Sequence, residues 1–190
     1  FRRLFAEGAF AQAFVPVLAE YREKHGEDAV GSLIGAAGGT LGLVLMVVTA
    51  LGVLAAPALI MVFAPGFIDE PDKAGLAADL LRLTFPYLGF ISLTALAGSV
   101  LNTYGRFAVP AVTPVLLNVA LISAALWLAP QLERPVMALA MGVLAGGVAQ
   151  LLLQWAALVG LKLPIRPTVS FNHPGVRQIL RLMGPAMFGV

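Results

Sequence analysis

The chain has 190 residues, of which 59% are hydrophobic and only 12% are charged. Soluble domains carry about 25% charged residues, so this composition argues against a water-exposed surface and indicates a membrane protein. The absence of cysteine excludes disulfide frameworks, thiolate metal sites and cysteine nucleophiles. The formal net charge of +2 is small and forms no patch typical of nucleic-acid binding, so nucleic acid is not an expected partner.

Four charge-free runs follow one another along the chain, at residues 29–68, 83–105, 107–132 and 135–161. A membrane helix needs about 20 apolar residues, so each run is long enough to cross a bilayer once. The first run is the longest and lacks a polar turn. It predicts one helix over residues 30–64, kinked near Pro57.

The two ends of the chain predict incomplete spans. The uncharged stretch at residues 8–19 is too short to cross a bilayer alone. A further helix is expected to begin at about Val176. The expected fold is therefore an all-α polytopic transmembrane helix bundle, with residues 1–190 forming one transmembrane domain fragment of four complete spans and a partial span at each end.

The charges of the connections predict the orientation of these spans. Lys and Arg are more frequent on the cytoplasmic side of membrane proteins. Five connections join the four spans and the partial spans at the two ends, and we number them in chain order. The first, third and fifth connections share one side of the membrane and carry seven Lys and Arg residues: Arg22, Lys24, Arg106, Lys162, Arg166, Arg177 and Arg181. The other side carries three: Lys73, Arg82 and Arg134. The more basic side is expected to be cytoplasmic.

Small and polar residues within the runs predict helix packing. Glycines recur every four residues at Gly31, Gly35 and Gly39, and again at Gly142 and Gly146. This spacing allows two backbones to approach closely in lipid, although glycine is also simply common in membrane helices. Asn118 lies in the otherwise apolar stretch 116–122 and predicts a hydrogen bond between helices.

No enzymatic signature is present in the sequence. It contains no phosphate-binding glycine loop, no zinc-type histidine pair and no nucleophile elbow. His25 and His173 both fall in predicted cytoplasmic loops and are interpreted as solvated. We therefore predict no catalytic residue, no metal ligand and no cofactor, and we do not expect an enzyme.

Arg2, Arg3 and Glu7 form the group of charges with the clearest functional meaning. Arg3 and Glu7 are four residues apart and share a helix face. Arginine is planar, permanently charged and able to bind oxygen atoms in pairs, so two arginines suit a diphosphate, with Glu7 orienting Arg3. A charge within a span usually faces a polar cavity. The alternative is that these side chains lie at the membrane rim and extend to water.

Several segments resemble the MurJ/MviN lipid II flippase family. The strongest resemblance is the opening FRRLFAEGAFAQAFVPVLAEY, and further similarity occurs in APGF at 64–67, TFPY at 84–87, LNTYGRFAVP at 101–110 and MGPA at 183–186. Pro114 and Asn118 continue this pattern. The resemblance covers essentially the whole chain, and the charged positions of the opening make it specific.

The resemblance implies a fourteen-span exporter fold, of which this chain forms part of the N-terminal lobe, from within span two to the start of span seven. It implies a multi-pass protein of the bacterial inner membrane that moves a lipid-linked peptidoglycan precursor by alternating access. The expected partners are this anionic precursor, of the undecaprenyl-diphosphate type, and membrane lipids. Arg2, Arg3 and Glu7 match charges that the family places at or near its central cavity, which makes them candidate substrate-binding residues. A polysaccharide-lipid flippase or a drug or cation exporter of the same superfamily is the alternative.

Overall fold

The computed structural model describes residues 8–67 and 70–188 as a series of helices, with no β-strand in these two ranges. Short 3-10 or π segments follow the third and sixth α-helices, at Pro65–Phe67, Ala124–Leu128 and Ala129–Gln131. The α-helices are α1 (Gly8–Lys24), α2 (Gly26–Leu54), α3 (Ala56–Phe63), α4 (Pro71–Thr84), α5 (Tyr87–Thr103), α6 (Ala108–Ser123), α7 (Val136–Val159) and α8 (Pro174–Phe188).

Four helical stretches are long and apolar enough to cross a membrane, which confirms the four predicted spans. Their bounds are Gly26–Leu54, Pro71–Thr103, Ala108–Gln131 and Val136–Val159. Large apolar side chains are exposed along them, among them Leu54, Leu126 and Leu152. Such surfaces are unfavourable in water and suit contact with lipid. The protein is a membrane protein.

The first predicted helix, over residues 30–64, is divided into two helices close to Pro57, where a kink in a single helix was expected. Helix α2 ends at Leu54, and α3 begins at Ala56 with Pro57 in its first turn. Proline has no backbone N–H, so it breaks the hydrogen-bond ladder at this point but is tolerated at a helix start.

Helix α4 lies between the first two charge-free runs, in the predicted connection that carries Lys73 and Arg82. Pro71 lies in its first turn. Asp79 and Arg82 form an ion pair of 3.0 Å, and Glu70 and Lys73 form one of 2.6 Å. Because these charges pair at a separation of three residues, they are compatible with a helix.

The described residues form two compact units. The first contains the described parts of Phe1–Val44, Ser92–Thr113 and Leu151–Val190, and the second contains those of Leu45–Ile91 and Pro114–Gln150. In the first unit, side chains from α1, α2 and α5 form a buried core that also includes Val176 and Ile179 of α8. The largest fully buried apolar side chains are Phe14, Leu18, Leu33 and Leu101.

A non-helical segment at residues 163–170, which we call the strap, runs along α2 over Gly31, Gly35 and Gly39. A Cβ atom at Gly31 would lie 2.7 Å from the carbonyl oxygen of Pro164, and Cβ atoms at Gly35 and Gly39 would lie even closer to the carbonyl oxygens of Arg166 and Thr168. Eight helical residues rise about 12 Å. The four steps from Pro164 to Thr168 cover this rise at about 3 Å each, which is close to an extended chain.

Two hydrogen bonds hold the strap in this position. The Thr168 N–H donates to the Gly35 carbonyl at 3.1 Å, and the Ser170 N–H donates to the Thr40 hydroxyl at 3.0 Å. The glycine spacing therefore does mark a close backbone approach, as predicted. Its partner, however, is an extended segment.

In the second unit the glycine pair of α7 packs against a helix. A Cβ atom at Gly142 would lie 2.9 Å from the Ala124 Cβ atom, and one at Gly146 would lie 3.1 Å from the Leu117 Cα atom. Small residues at this spacing allow helices to pack closely in lipid, and the prediction for this pair is confirmed.

The prediction for Asn118 is wrong for the described part of the chain. Its side chain is exposed and makes no hydrogen bond to any described residue. A buried hydrogen bond between helices is made instead by Gln154, whose Nε2 donates to the Thr113 hydroxyl at 2.8 Å. An apolar run does not show which helix face is buried, and Asn118 lies on an exposed face.

Candidate functional site

The predicted substrate-binding residues Arg2, Arg3 and Glu7 lie outside the described residues. Helix α1 begins at Gly8, the first residue that the structure describes. This helix is well anchored, because Phe14, Val17 and Leu18 are all buried in the core of the first unit. The structure does describe the packing of α1, which follows these residues in the chain, and the basic connections near the C-terminal end of α1.

Contacts of α1 bring the first, third and fifth connections together. The Arg22 guanidinium donates to the Thr103 carbonyl at 2.8 Å and lies 4.5 Å from the centre of the Tyr104 ring. From α8, the Gln178 amide donates to a Glu20 carboxylate oxygen at 3.0 Å. These contacts agree with the prediction that the three connections share one side of the membrane.

Glu20 is held as a carboxylate by its neighbours. A hydrogen bond from Lys24, at 2.9 Å, and the bond from Gln178 both lower the pKa of Glu20. The same pair raises the pKa of Lys24. The negative charge of Glu20 is therefore balanced by Lys24, and its hydrogen bond from Gln178 connects α1 with α8.

The two histidines have different surroundings, which corrects half of the prediction that both are solvated. His25 is exposed and stacks on Tyr21 with 5.0 Å between ring centres. His173 is partly buried and caps the start of α8, since its Nδ1 accepts the Gly175 N–H at 3.2 Å. Its Nε2 lies 3.4 Å from the Ser32 hydroxyl. Loss of hydration lowers the pKa of His173.

This cap predicts that the stability of the protein decreases as the pH falls below the usual histidine pKa of about 6.5. In that range the unfolded chain binds a proton that the folded His173 takes up only at a lower pH, so folding is disfavoured. Asparagine is also a good cap but does not titrate. We expect His173→Asn to keep the stability seen near pH 7.5 and to reduce its loss near pH 5.5, measured by thermal unfolding.

His25→Asn is the matched control, because His25 is exposed and its side chain makes no hydrogen bond to a described residue. This variant should show the same pH dependence of thermal stability as the unchanged protein. If His173→Asn also leaves it unchanged, the cap does not titrate in this range.

An apolar cavity of about 320 Å³ lies within the first unit. It is lined by α2, α5, α7 and the strap, through side chains such as Ile34, Val100, Leu158 and Ile165. Such a lining suits hydrocarbon and offers nothing to a phosphate. No group of three or more His, Asp or Glu residues is placed to hold a metal ion in the part of the chain that the structure describes.

The family model described as "Lipid II flippase MurJ" matches residues 1–190. The chain is 47% identical to a probable lipid II flippase MurJ of Vibrio cholerae and 45% identical to one of Haemophilus influenzae, in each case over 100% of its own length. It is 45% identical over its full length to the lipid II flippase MurJ of Burkholderia cenocepacia. The chain spans 37%, 38% and 37% of the length of these three relatives.

Proposed function

Because the chain belongs to the MurJ lipid II flippase family, we propose that it forms part of a flippase that moves lipid II, a lipid-linked peptidoglycan precursor, across the bacterial inner membrane. The family match over residues 1–190 is the observation that carries this proposal. The movement changes no covalent bond in the cargo, so the protein is proposed to act by alternating access and without enzymatic chemistry.

Arg2, Arg3 and Glu7 are proposed to bind the headgroup of the cargo. A diphosphate offers several negatively charged oxygen atoms, and guanidinium groups bind such oxygens in pairs. Ionisable residues in membrane spans are costly and are usually found where they face a polar cavity. In α1, which follows these charges in the chain, Phe14 and Leu18 are fully buried.

The orientation proposed for the chain follows its charge distribution. The seven Lys and Arg residues of the first, third and fifth connections all belong to the first unit. Lys73, Arg82 and Arg134 belong to the second and fourth connections. By the positive-inside rule, the first group lies in the cytoplasm. The lipid-linked precursor would therefore meet the basic side first.

The test is complementation of cells depleted of their own lipid II flippase. The complete gene product that contains this chain would carry Arg2→Gln and Arg3→Gln together. We expect at least a tenfold loss of lipid II translocation at normal membrane levels, because two charge-assisted contacts to the diphosphate are removed. Each such contact contributes about 1.5 to 3 kcal/mol.

The control variant carries Arg106→Gln and Arg134→Gln. These residues are exposed and come from opposite sides of the membrane, so the same charge is removed without changing the difference between the sides. It should complement fully. Full rescue by the Arg2 and Arg3 variant would contradict the cargo-binding role, and failure of the unchanged protein at normal levels would contradict lipid II as cargo.

A further inference from the structure

A second, polar cavity of about 370 Å³ lies at the start of α8. It is lined by Asn172, Pro174, Arg177, Gln178 and Arg181. Arg177 and Arg181 are one helical turn apart, so their side chains share a face. Both are exposed, and neither has a carboxylate within ion-pair distance among the described residues. Two guanidinium groups are therefore available to one ligand.

The surroundings of the cavity do not cancel this positive charge. Asn172 accepts a hydrogen bond of 2.7 Å from Arg177 and so orients its guanidinium. Gln178 is bound to Glu20, but the Glu20 carboxylate is already paired with Lys24 at 2.9 Å. The first amides of α8 are also occupied, since His173 accepts hydrogen bonds from Gly175 and Arg177. Recognition of an anion would thus depend on the arginine side chains.

The apolar residues of α8 indicate in which environment an anion would reach these arginines. Val176 and Ile179 are buried in the core of the first unit, whereas Leu180 and Leu182 are exposed by 53% and 42%. A helix that exposes leucines beside arginines suits the boundary between headgroups and acyl chains. Arginines on such a helix meet lipid phosphates rather than the hydrocarbon interior.

From these features we infer that Arg177 and Arg181 form a binding site for the phosphate or diphosphate group of a membrane lipid, separate from Arg2, Arg3 and Glu7. The inference rests on the proposed function in one respect, namely that a diphosphate lipid is among the expected ligands. Two arginines one turn apart suit a diphosphate because each can bind one phosphate through two parallel hydrogen bonds. The site would give the lipid its first contact on the basic side of the protein.

Equilibrium binding to the complete gene product in neutral detergent tests this site without requiring transport. The three probes are a polyprenyl diphosphate, phosphatidylglycerol and inorganic diphosphate. For the double variant Arg177→Gln/Arg181→Gln we expect at least tenfold weaker binding of the polyprenyl diphosphate. For Arg181→Gln alone, which removes no contact to a described residue, we expect a threefold or greater loss. Weakening confined to the polyprenyl diphosphate identifies the cargo as ligand, and equal weakening of phosphatidylglycerol identifies lipid phosphates in general.

The matched control is Lys162→Gln/Arg166→Gln, which removes two exposed positive charges from the same connection outside this cavity. It should bind each lipid within twofold of the unchanged protein. If the control weakens lipid binding as much as the double variant, the lipids are attracted only by the general positive charge of the connection, and the proposed site is wrong. Normal lipid binding by both Arg181→Gln and the double variant would also overturn it. Weakening of inorganic diphosphate alone would also overturn it. Failure of the proposed function is distinguishable, because that appears as normal translocation by the Arg2 and Arg3 variant.

Discussion

Replacement of Gly35 by valine is expected to prevent the chain from reaching its folded state, and replacement by alanine to destabilise it by about 1 to 3 kcal/mol. The Cβ atom of either residue would overlap the Arg166 carbonyl, which belongs to the backbone of the strap. Backbone cannot rotate away as a side chain can. The strap would have to leave α2, and the Thr168 hydrogen bond to the Gly35 carbonyl would be lost with it. The measurement is the thermal unfolding midpoint of the complete gene product in detergent.

Gly42→Ala is the matched control, because Gly42 lies on the same helix and a Cβ atom there would meet nothing within 4 Å. Alanine restricts the unfolded backbone and favours helix, so this variant should be more stable by about 0.5 to 1 kcal/mol. The same substitution is thus expected to have opposite signs at two positions of one helix. Equal effects at both positions would show that helix propensity, and not the strap, controls the result.

The second large effect is expected at Gln154. Its side chain is only 2% exposed, and its Nε2 donates to the Thr113 hydroxyl at 2.8 Å. Gln154→Ala removes this bond and leaves a cavity, which should cost about 2 to 4 kcal/mol, as for other large buried side chains. Gln154→Met fills the volume and loses only the hydrogen bond, which contributes about 0.6 to 1.7 kcal/mol between membrane helices.

Unfolding midpoints of the two variants separate volume from hydrogen bonding. Gln12→Ala is the control, since Gln12 is exposed and should tolerate the change. If Gln154→Met is as unstable as Gln154→Ala, the hydrogen bond contributes more than the packing. If neither variant differs from Gln12→Ala, Gln154 is not buried in the folded protein.

The helices could be predicted from the sequence because their signals are local. Apolar length alone identifies the four spans, and Pro57 marks the break between α2 and α3. The start of α4 could not be found in this way, because its charges suggest a loop until their i,i+3 pairing is seen. Local pattern does not report such pairing.

The partners of individual side chains were less predictable. Glycine spacing indicates that something approaches α2 closely, but the segment that does so lies about 130 residues further along the chain. Gln154 and Asn118 are both polar residues in apolar runs, yet only Gln154 is on a buried face. His173 acquires its role only because α8 begins at the next residue. The candidate arginines Arg2 and Arg3 lie before the described residues, so their role stays a prediction.

The fit between the strap and α2 has a consequence for chain length. Four residues of helix advance about 6 Å, and two residues of extended chain advance nearly the same distance. Every second carbonyl of the strap therefore meets a glycine, from Pro164 to Thr168. Deleting or inserting one residue within these positions would exchange the carbonyls that face α2 for those that face away. This connection should accept length changes only in pairs of residues, whereas an ordinary surface loop accepts them one at a time.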